Sequence, residues 1–169
     1  MKKLKLIIIL ALVAGTSGLV LSLMNDITQP IIIKAQEVAE LELYETLFPD
    51  MTSLDKQEVN SGSVTHASQI MDANGPIGFI YTASGKNGYG GITALIAIDT
   101  NDNIIGIEYT AFNQTPGFGD KIQEENYLNQ FNQMSTSDVK IDGATGATYS
   151  SNLVKNLVED AAKYHNTNN

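Results

Sequence analysis

The longest hydrophobic stretch of the chain lies close to its N-terminus. An uncharged, mostly apolar run extends from Leu6 to Met24. About 19 residues at 1.5 Å rise each nearly match a hydrocarbon core of about 30 Å. The run is therefore long enough to form one membrane-spanning helix.

The charges around this run predict its orientation. Three lysines precede it and Asp26 follows it. The positive-inside rule then places the N-terminus in the cytoplasm and the rest of the chain outside it. A cleaved signal peptide is the alternative, but no small-x-small cleavage site follows Leu23, and the sequence has no Cys for lipidation. We expect residues 1–25 to be a cytoplasmic start and single-pass anchor in the cell membrane, and residues 26–169 to be an extracytoplasmic domain.

The first part of the outer domain mixes helical and irregular patterns. Residues 27–33, interrupted by Pro30, predict a short connector. Residues 34–47 place apolar side chains at helical spacing between glutamates and predict an amphipathic helix that ends before Pro49. Residues 50–74 are polar, which suits a loop or a weak pair of strands.

The middle of the domain alternates with the period of β-strands. Residues 77–83 and 92–99 predict two strands, and residues 104–112 predict a third. Turn-forming residues 100–103 join the last two strands into a hairpin.

Two helices are predicted after these strands. The first covers residues 121–134, and the second follows a cap at Ser150 or Ser151. Strands segregated from helices in this way indicate an α+β domain, an antiparallel sheet flanked by helices. The side chains expected to face inward from the first helix are Ile122, Tyr127, Leu128 and Phe131, and those from the second are Leu153, Val154, Leu157, Val158 and Ala161.

Composition narrows the range of functions. The formal net charge is −9 and the sequence contains no Arg, so it has no basic stripe for nucleic acid. The absence of Cys excludes thiolate chemistry and iron–sulfur ligation by this chain. His66 and His165 are far apart in polar stretches, and we expect both to be solvated rather than to bind metal.

The stretch most informative about chemistry is residues 142–151, where glycines and small residues lead into the last predicted helix. Such a junction binds anions, because free backbone N–H groups and the positive end of the helix dipole point at the same place. The simpler interpretation is a turn at Asp142 and Gly143 followed by a helix cap at Thr148 or Ser150. The stretch is not a Walker A loop, because it contains no Gly-Lys-Ser/Thr. It is not a dinucleotide fingerprint either, because the glycine spacing is wrong and no strand–helix–strand unit surrounds it.

The sequence Asp-Gly-Ala-Thr-Gly-Ala-Thr over residues 142–148 resembles the flavinylation motif of the FMN-binding domain family. That family occurs in Rnf complexes and in sodium-translocating NADH:quinone reductases. The resemblance implies that Thr148 carries FMN as a phosphoester, installed from FAD by a flavin transferase. The motif residues around it are Asp142, Gly143, Thr145, Gly146 and Ala147.

Two other stretches extend the resemblance. Residues 88–92 are similar to the glycine-rich start of a family strand, and residues 115–121 resemble the family's Thr-Pro-Gly-x-Gly loop. The resemblance adds Pro116, Gly117 and Gly119 to the candidate flavin site. Aromatic side chains near these stretches are candidates for stacking on the ring: Tyr89, Phe112, Phe118 and Tyr149.

The order of the elements is closer to the G subunit of Rnf complexes than to the C subunit of the quinone reductase. This implies an electron-transfer subunit of an ion-translocating membrane complex, acting with other membrane subunits rather than as a complete enzyme. Two alternatives stay open on the sequence: a free-standing extracellular flavoprotein, and a non-catalytic membrane-anchored binding or assembly protein in which Thr148 is a plain cap.

The predicted orientation can be tested with a reporter fused after Asn169. A reporter that is active only outside the cytoplasm should be active in this fusion, because the three lysines hold the N-terminus inside. Activity of a reporter that works only in the cytoplasm would contradict the topology.

Overall fold

The computed structural model describes residues 2–117 and 119–169. The chain divides into two compact units, one reaching Leu41 and one extending from Glu42 to Asn169. The first unit is helical, and the second contains all the strands.

Helix α1 spans Lys2–Leu47. Within the described part of the chain, it is the one helix long and apolar enough to cross a membrane, and none of its most apolar window is buried. The predicted break at residues 27–33 is wrong, because the helix continues through Pro30. A proline removes one intrahelical hydrogen bond, but an established helix propagates on both sides of that point.

The second unit is built on one antiparallel sheet in which six strands follow one another in chain order. Residues 50–74, for which the sequence allowed a loop or strands, form the first two of these strands. The predicted hairpin is confirmed as the fourth and fifth strands, with Ile96 opposite Ile107. The strands are β1 (Ser53–Ser61), β2 (Val64–Met71), β3 (Pro76–Asn87), β4 (Gly90–Asp99), β5 (Asn103–Gln114) and β6 (Met134–Ser135).

Each face of the sheet has its own hydrophobic core. On one face, Ile80 and Leu95 pack with Tyr44, in the last turn of α1, and with Phe48, which follows that helix. On the other face, the alternate strand residues pack against the C-terminal helix. The predicted antiparallel sheet flanked by helices is therefore confirmed.

The predicted helix over residues 121–134 is wrong as a continuous element. It divides into a 3-10 turn at Asp120–Gln123, the short helix α2 at Glu125–Leu128, and a second 3-10 turn at Asn129–Phe131. The break falls at Glu124, whose backbone is extended. Three of the four predicted inward side chains are buried and Leu128 is partly buried, so the hydrophobic spacing was a good guide to burial even though the helix is interrupted.

Helix α3 spans Thr148–Asn168 and buries the predicted face. Its start differs from the prediction, because Ala147 is the N-cap and neither Ser150 nor Ser151 caps the helix. Both serines are buried inside the first turn, where their hydroxyls bond to groups outside the helix.

The C-terminal end of α3 is fixed by a chain of side-chain hydrogen bonds. His165 is 2% exposed, so the prediction that it is solvated is wrong. Its Nδ1 lies 2.8 Å from the Tyr81 hydroxyl, and its Nε2 lies 2.9 Å from Asp102 Oδ1. An aspartate carboxylate only accepts, so Nε2 donates to Asp102 and Nδ1 accepts from Tyr81.

Buried tyrosines make the stability of this unit sensitive to alkaline pH. Burial raises the pKa of Tyr127 to about 12, and it also raises the pKa values of Tyr81 and Tyr109. A raised tyrosine pKa means that the fold favours the neutral side chain. Each such tyrosine therefore contributes its full stabilisation of the fold below about pH 10 and loses it as the pH rises towards its pKa in the folded state.

We therefore expect thermal stability of the detergent-solubilised chain to fall between about pH 10 and pH 12. Tyr127→Phe should reduce the loss in the free energy of unfolding by up to about 2–3 kcal/mol. The reason is that it removes a pKa shift of two units, each worth about 1.4 kcal/mol. Near-ultraviolet circular dichroism during heating measures the effect. Identical pH profiles for the native chain and the variant would contradict it.

Candidate functional site

The first turn of α3 presents an exposed hydroxyl beside unpaired backbone donors. Thr148 is the first residue of the helix and its side chain is exposed. The preceding residue, Ala147, makes no side-chain cap hydrogen bond. Because the first N–H groups of a helix have no intrahelical acceptor, they remain available to an anion at this position.

A tight turn leads the chain into this helix. The Ala147 N–H donates to the Ala144 carbonyl oxygen at 2.9 Å, and Gly146 adopts φ +84° inside the turn. The Ser151 hydroxyl oxygen accepts from the Ala144 N–H at 2.9 Å. The turn is thus closed by its own backbone and fastened to the helix that follows it.

The Thr-Pro-Gly loop lies against this turn. Lys121 Nζ donates to the Thr145 carbonyl oxygen at 2.7 Å, which joins the two stretches that the sequence singled out. Within the loop, the Gly117 N–H donates to Asp120 Oδ2 at 2.7 Å. Pro116 and Gly117 are exposed, whereas Gly119 is buried against the side chain of Gln114.

Two of the predicted motif residues lie farther back along the chain. Asp142 is exposed, and its backbone N–H donates to Gln130 Oε1 at 2.8 Å. Gly143 is exposed, and a Cβ added there would meet Ser151 only at an ordinary contact distance. Their place is the approach to the turn rather than the helix start itself.

The aromatic candidates separate into different environments. The rings of Tyr89 and Tyr149 lie 5.8 Å apart, centroid to centroid, beside the first turn of α3. Phe112 instead packs on Tyr109, with ring centroids 5.5 Å apart, and is partly buried in the core. Phe118 lies outside the described residues.

A small cavity of about 310 Å³ adjoins the turn on its Lys121 side. Polar and charged side chains of the 120–131 segment form one wall, and the residues before Gly146 form the other. Its lining consists of Lys121, Glu124, Asn126, Tyr127, Gln130, Ala144 and Thr145.

Gln114 is the part of this region that sequence patterns missed. It is the last residue of β5 and is 7% exposed, and its Oε1 accepts from the Ser150 hydroxyl at 2.8 Å. The predicted strand ended at Phe112, two residues too early. If the alternation is continued beyond Phe112, Gln114 lies on the same inner face as Phe112.

Part of the chain matches a known protein family. Residues 88–163 match the family model described as the FMN-binding domain. The match contains the Thr-Pro-Gly loop, the turn at Gly146 and most of α3.

The relatives cover most of the chain. The G subunit of an ion-translocating oxidoreductase complex from Shewanella baltica is 31% identical over 163 residues, 80% of this chain and 77% of the relative. Its namesake from Pectobacterium atrosepticum is 27% identical over 94% of this chain and 88% of the relative. The G subunit of the proton-translocating ferredoxin:NAD(+) oxidoreductase complex from Clostridium ljungdahlii is 27% identical over 87% of this chain and 83% of the relative. The chain belongs to this family of G subunits.

The two glycines of the motif provide a matched test of the turn. A side chain at Gly146 must adopt a left-handed backbone, so Gly146→Ala should lower stability by about 1–2 kcal/mol. Gly143→Ala adds a Cβ at 3.7 Å from Ser151 Cβ, an ordinary contact, and should change stability by about 0.5 kcal/mol or less. Thermal unfolding of both variants measures the difference. Equal effects would mean that the turn does not depend on Gly146.

Proposed function

We propose that this chain is the electron-transfer flavoprotein subunit of an Rnf-type ion-translocating membrane complex and that it carries FMN bound covalently through phosphate to Thr148. The observation that carries the proposal is an exposed hydroxyl at the first position of a 21-residue helix, inside a segment that matches the FMN-binding domain. When bound, FMN supplies one- and two-electron transfer, which this chain's own side chains do not.

The residues at the helix start fit a phosphate diester. A threonine hydroxyl joined to the phosphorus leaves the other phosphate oxygens near the first N–H groups of α3. Gly146 has no side chain to obstruct a phosphate at Thr148. The Lys121 ammonium is held beside the turn by the Thr145 carbonyl oxygen. These groups favour negative charge at Thr148.

Accessibility distinguishes the four threonine and serine hydroxyls of residues 142–151. Ser150 and Ser151 are 1% and 2% exposed and are occupied by hydrogen bonds to other groups. Thr145 and Thr148 are exposed, but only Thr148 lies on the helix. A transferase acting on the folded domain therefore reaches Thr148 at the position where the backbone donors converge.

The attachment is a transfer from FAD. The Thr148 Oγ1 forms a bond to the flavin-bearing phosphorus, and the bond from that phosphorus to the bridging oxygen breaks. AMP leaves, and the hydroxyl proton is lost to a base. The chain gains the mass of FMN less one water.

Helix α1 has the length and hydropathy to anchor this domain, and the lysines before its apolar run favour an extracytoplasmic position for the domain. A tethered cofactor suits that compartment, because a dissociable flavin would be diluted away, whereas a tethered one keeps an effective concentration on the order of mM. The other membrane subunits of the complex are the redox partners, and the flavin transferase is the partner during maturation.

The assignment of Thr148 can be tested by co-expression with a flavin transferase. The native chain and Thr148→Ser should both gain the FMN adduct, because both present a hydroxyl at the helix start. Thr148→Ala should gain nothing while folding normally, since an exposed substitution changes stability by about 0.5 kcal/mol or less. Intact mass and thermal unfolding report the two properties.

Thr145→Ala is the control for this series, because it removes the other exposed hydroxyl of the motif. It should keep the adduct on Thr148. Covalent flavin on Thr148→Ala, or a peptide map that places FMN on Thr145, would show that the attachment site is wrong.

A further inference from the structure

Two buried side-chain amide nitrogens near the helix start have no hydrogen-bond partner. Within the described residues, only four buried side-chain polar atoms are unpaired: Ser63 Oγ, Thr82 Oγ1, Asn87 Nδ2 and Gln114 Nε2. An unpaired buried donor costs free energy. Such a donor usually occurs where a ligand or a water molecule accepts its hydrogen bond. The two amide nitrogens are the donors of interest because they share one end of the sheet.

Asn87 and Gln114 lie in a single row across three strands. Gly90 of β4 is opposite Asn87 of β3 on one side and opposite Gln114 of β5 on the other. Residues in such a row point to the same face of the sheet. Gly90 places no side chain between the two amides, and at φ +133° an added Cβ would collide with the Asn113 carbonyl oxygen.

Both amides use their oxygen and leave their nitrogen unpaired. Gln114 Oε1 accepts from the Ser150 hydroxyl at 2.8 Å. Asn87 Oδ1 accepts from the Tyr89 N–H at 2.8 Å. Ser150 is two residues from Thr148, and the Tyr89 ring pairs with that of Tyr149, so the row adjoins the first turn of α3.

We propose that this row is the part of the site that receives the carbonyl edge of the flavin ring, with the side-chain amide of Gln114 as principal hydrogen-bond donor and that of Asn87 as second donor. The inference rests on the proposed function, since it concerns the flavin tethered at Thr148. It assigns a binding role to two residues that lie outside the attachment motif.

The ring edge suits these donors better than the phosphate does. The phosphate is joined to the exposed Thr148, where backbone N–H groups of the first turn are available. The amides lie on the opposite, buried side, where an uncharged donor matches a neutral carbonyl oxygen without the desolvation of a second charge. The flexible ribityl chain between the phosphate and the ring would connect the two sides.

Tyr149 is the exposed side chain whose movement would open a path to the row. Tyr149 is 68% exposed, and its hydroxyl makes no hydrogen bond to any residue of the described chain. Its ring can therefore turn away from Tyr89 without the loss of a polar contact. The flavin ring would then approach the row from the side that the Tyr149 ring now covers.

Hydrogen bonds from these amides should also change the redox behaviour of the flavin. The ring gains electron density at its carbonyl edge on reduction, so a donor there stabilises the reduced form more than the oxidised form. Removal of the donor should make the flavin harder to reduce. A purely structural glutamine would have no such effect.

The test uses the full chain, flavinylated by co-expression with a flavin transferase and purified in detergent. Gln114→Glu keeps an acceptor oxygen for Ser150 and replaces the unpaired NH₂ group by a second carboxyl oxygen, which also introduces a negative charge. At a fixed solution potential, the ratio of oxidised to reduced flavin in this variant should be about tenfold or more above the native ratio. That is the change expected when a hydrogen bond to a developing charge is lost. Asn87→Asp, which likewise keeps its bond to the Tyr89 N–H, should shift the ratio in the same direction by less.

Asn113→Asp is the matched control, since it puts the same charge one residue away on an exposed side chain of β5. It should shift the ratio less than about twofold, as expected for a solvated charge. Gln114→Met has no N–H donor and adds no charge, so it should raise the ratio in the same direction and separates the lost donor from the added charge. If Gln114→Glu fails to fold, Gln114→Met and Asn87→Asp carry the same expectation. Flavin attached to all variants with ratios equal to that of Asn113→Asp would overturn the amide contact and leave the proposed function standing. Absence of covalent flavin from the native chain would overturn both.

Discussion

The packing of α3 across the sheet is the interaction on which the rest of this structure depends. Val154, Leu157 and Val158 are buried against the strand residues of the same face. That contact fixes the rotation of the helix about its axis, and so it decides which residues of the first turn face inward. Ser150 and Ser151 are turned into the protein, and Thr148 is turned out.

The two ends of this helix are held in different ways. At the C-terminal end, His165 bonds to Tyr81 and to Asp102, so the buried imidazole has acceptor and donor partners. At the N-terminal end, the serine side chains bond to Gln114 and to the backbone of Ala144, and no side chain caps the helix itself. The first turn is therefore positioned firmly while its own N–H groups stay available, which is the arrangement a tethered phosphate needs.

Elements whose hydrophobic period is regular could be predicted from the sequence. The β4–β5 hairpin and the buried face of α3 followed from alternation and from helical spacing. The break at Glu124 could not be foreseen, because the apolar side chains that follow it keep their helical spacing through the interruption. At Pro30 the sequence predicted a break that the structure does not have. The proline was given more weight than the helical sequence on both sides of it.

The site was only partly predictable for a related reason. The motif around Thr148 and the Thr-Pro-Gly loop are contiguous in sequence, so resemblance could find each of them. The bond from Lys121 to the Thr145 carbonyl and the row of Asn87, Gly90 and Gln114 depend on strand register and on the approach of distant segments. No local pattern specifies such contacts, and burial of a polar residue such as Gln114 becomes visible only in the folded chain.

FMN joined to this protein through its phosphate would form a phosphodiester, and phosphorus NMR distinguishes that bond from a free phosphate monoester. The flavin-loaded chain would be denatured and freed of small molecules, and its ³¹P chemical shift would be followed from about pH 5 to pH 8. A phosphate monoester titrates in this range with a second pKa of about 6, whereas a diester has no such proton to lose. We expect a protein-bound signal whose chemical shift does not change with pH. A protein-bound signal that titrates near pH 6, or no protein-bound phosphorus at all, would contradict it.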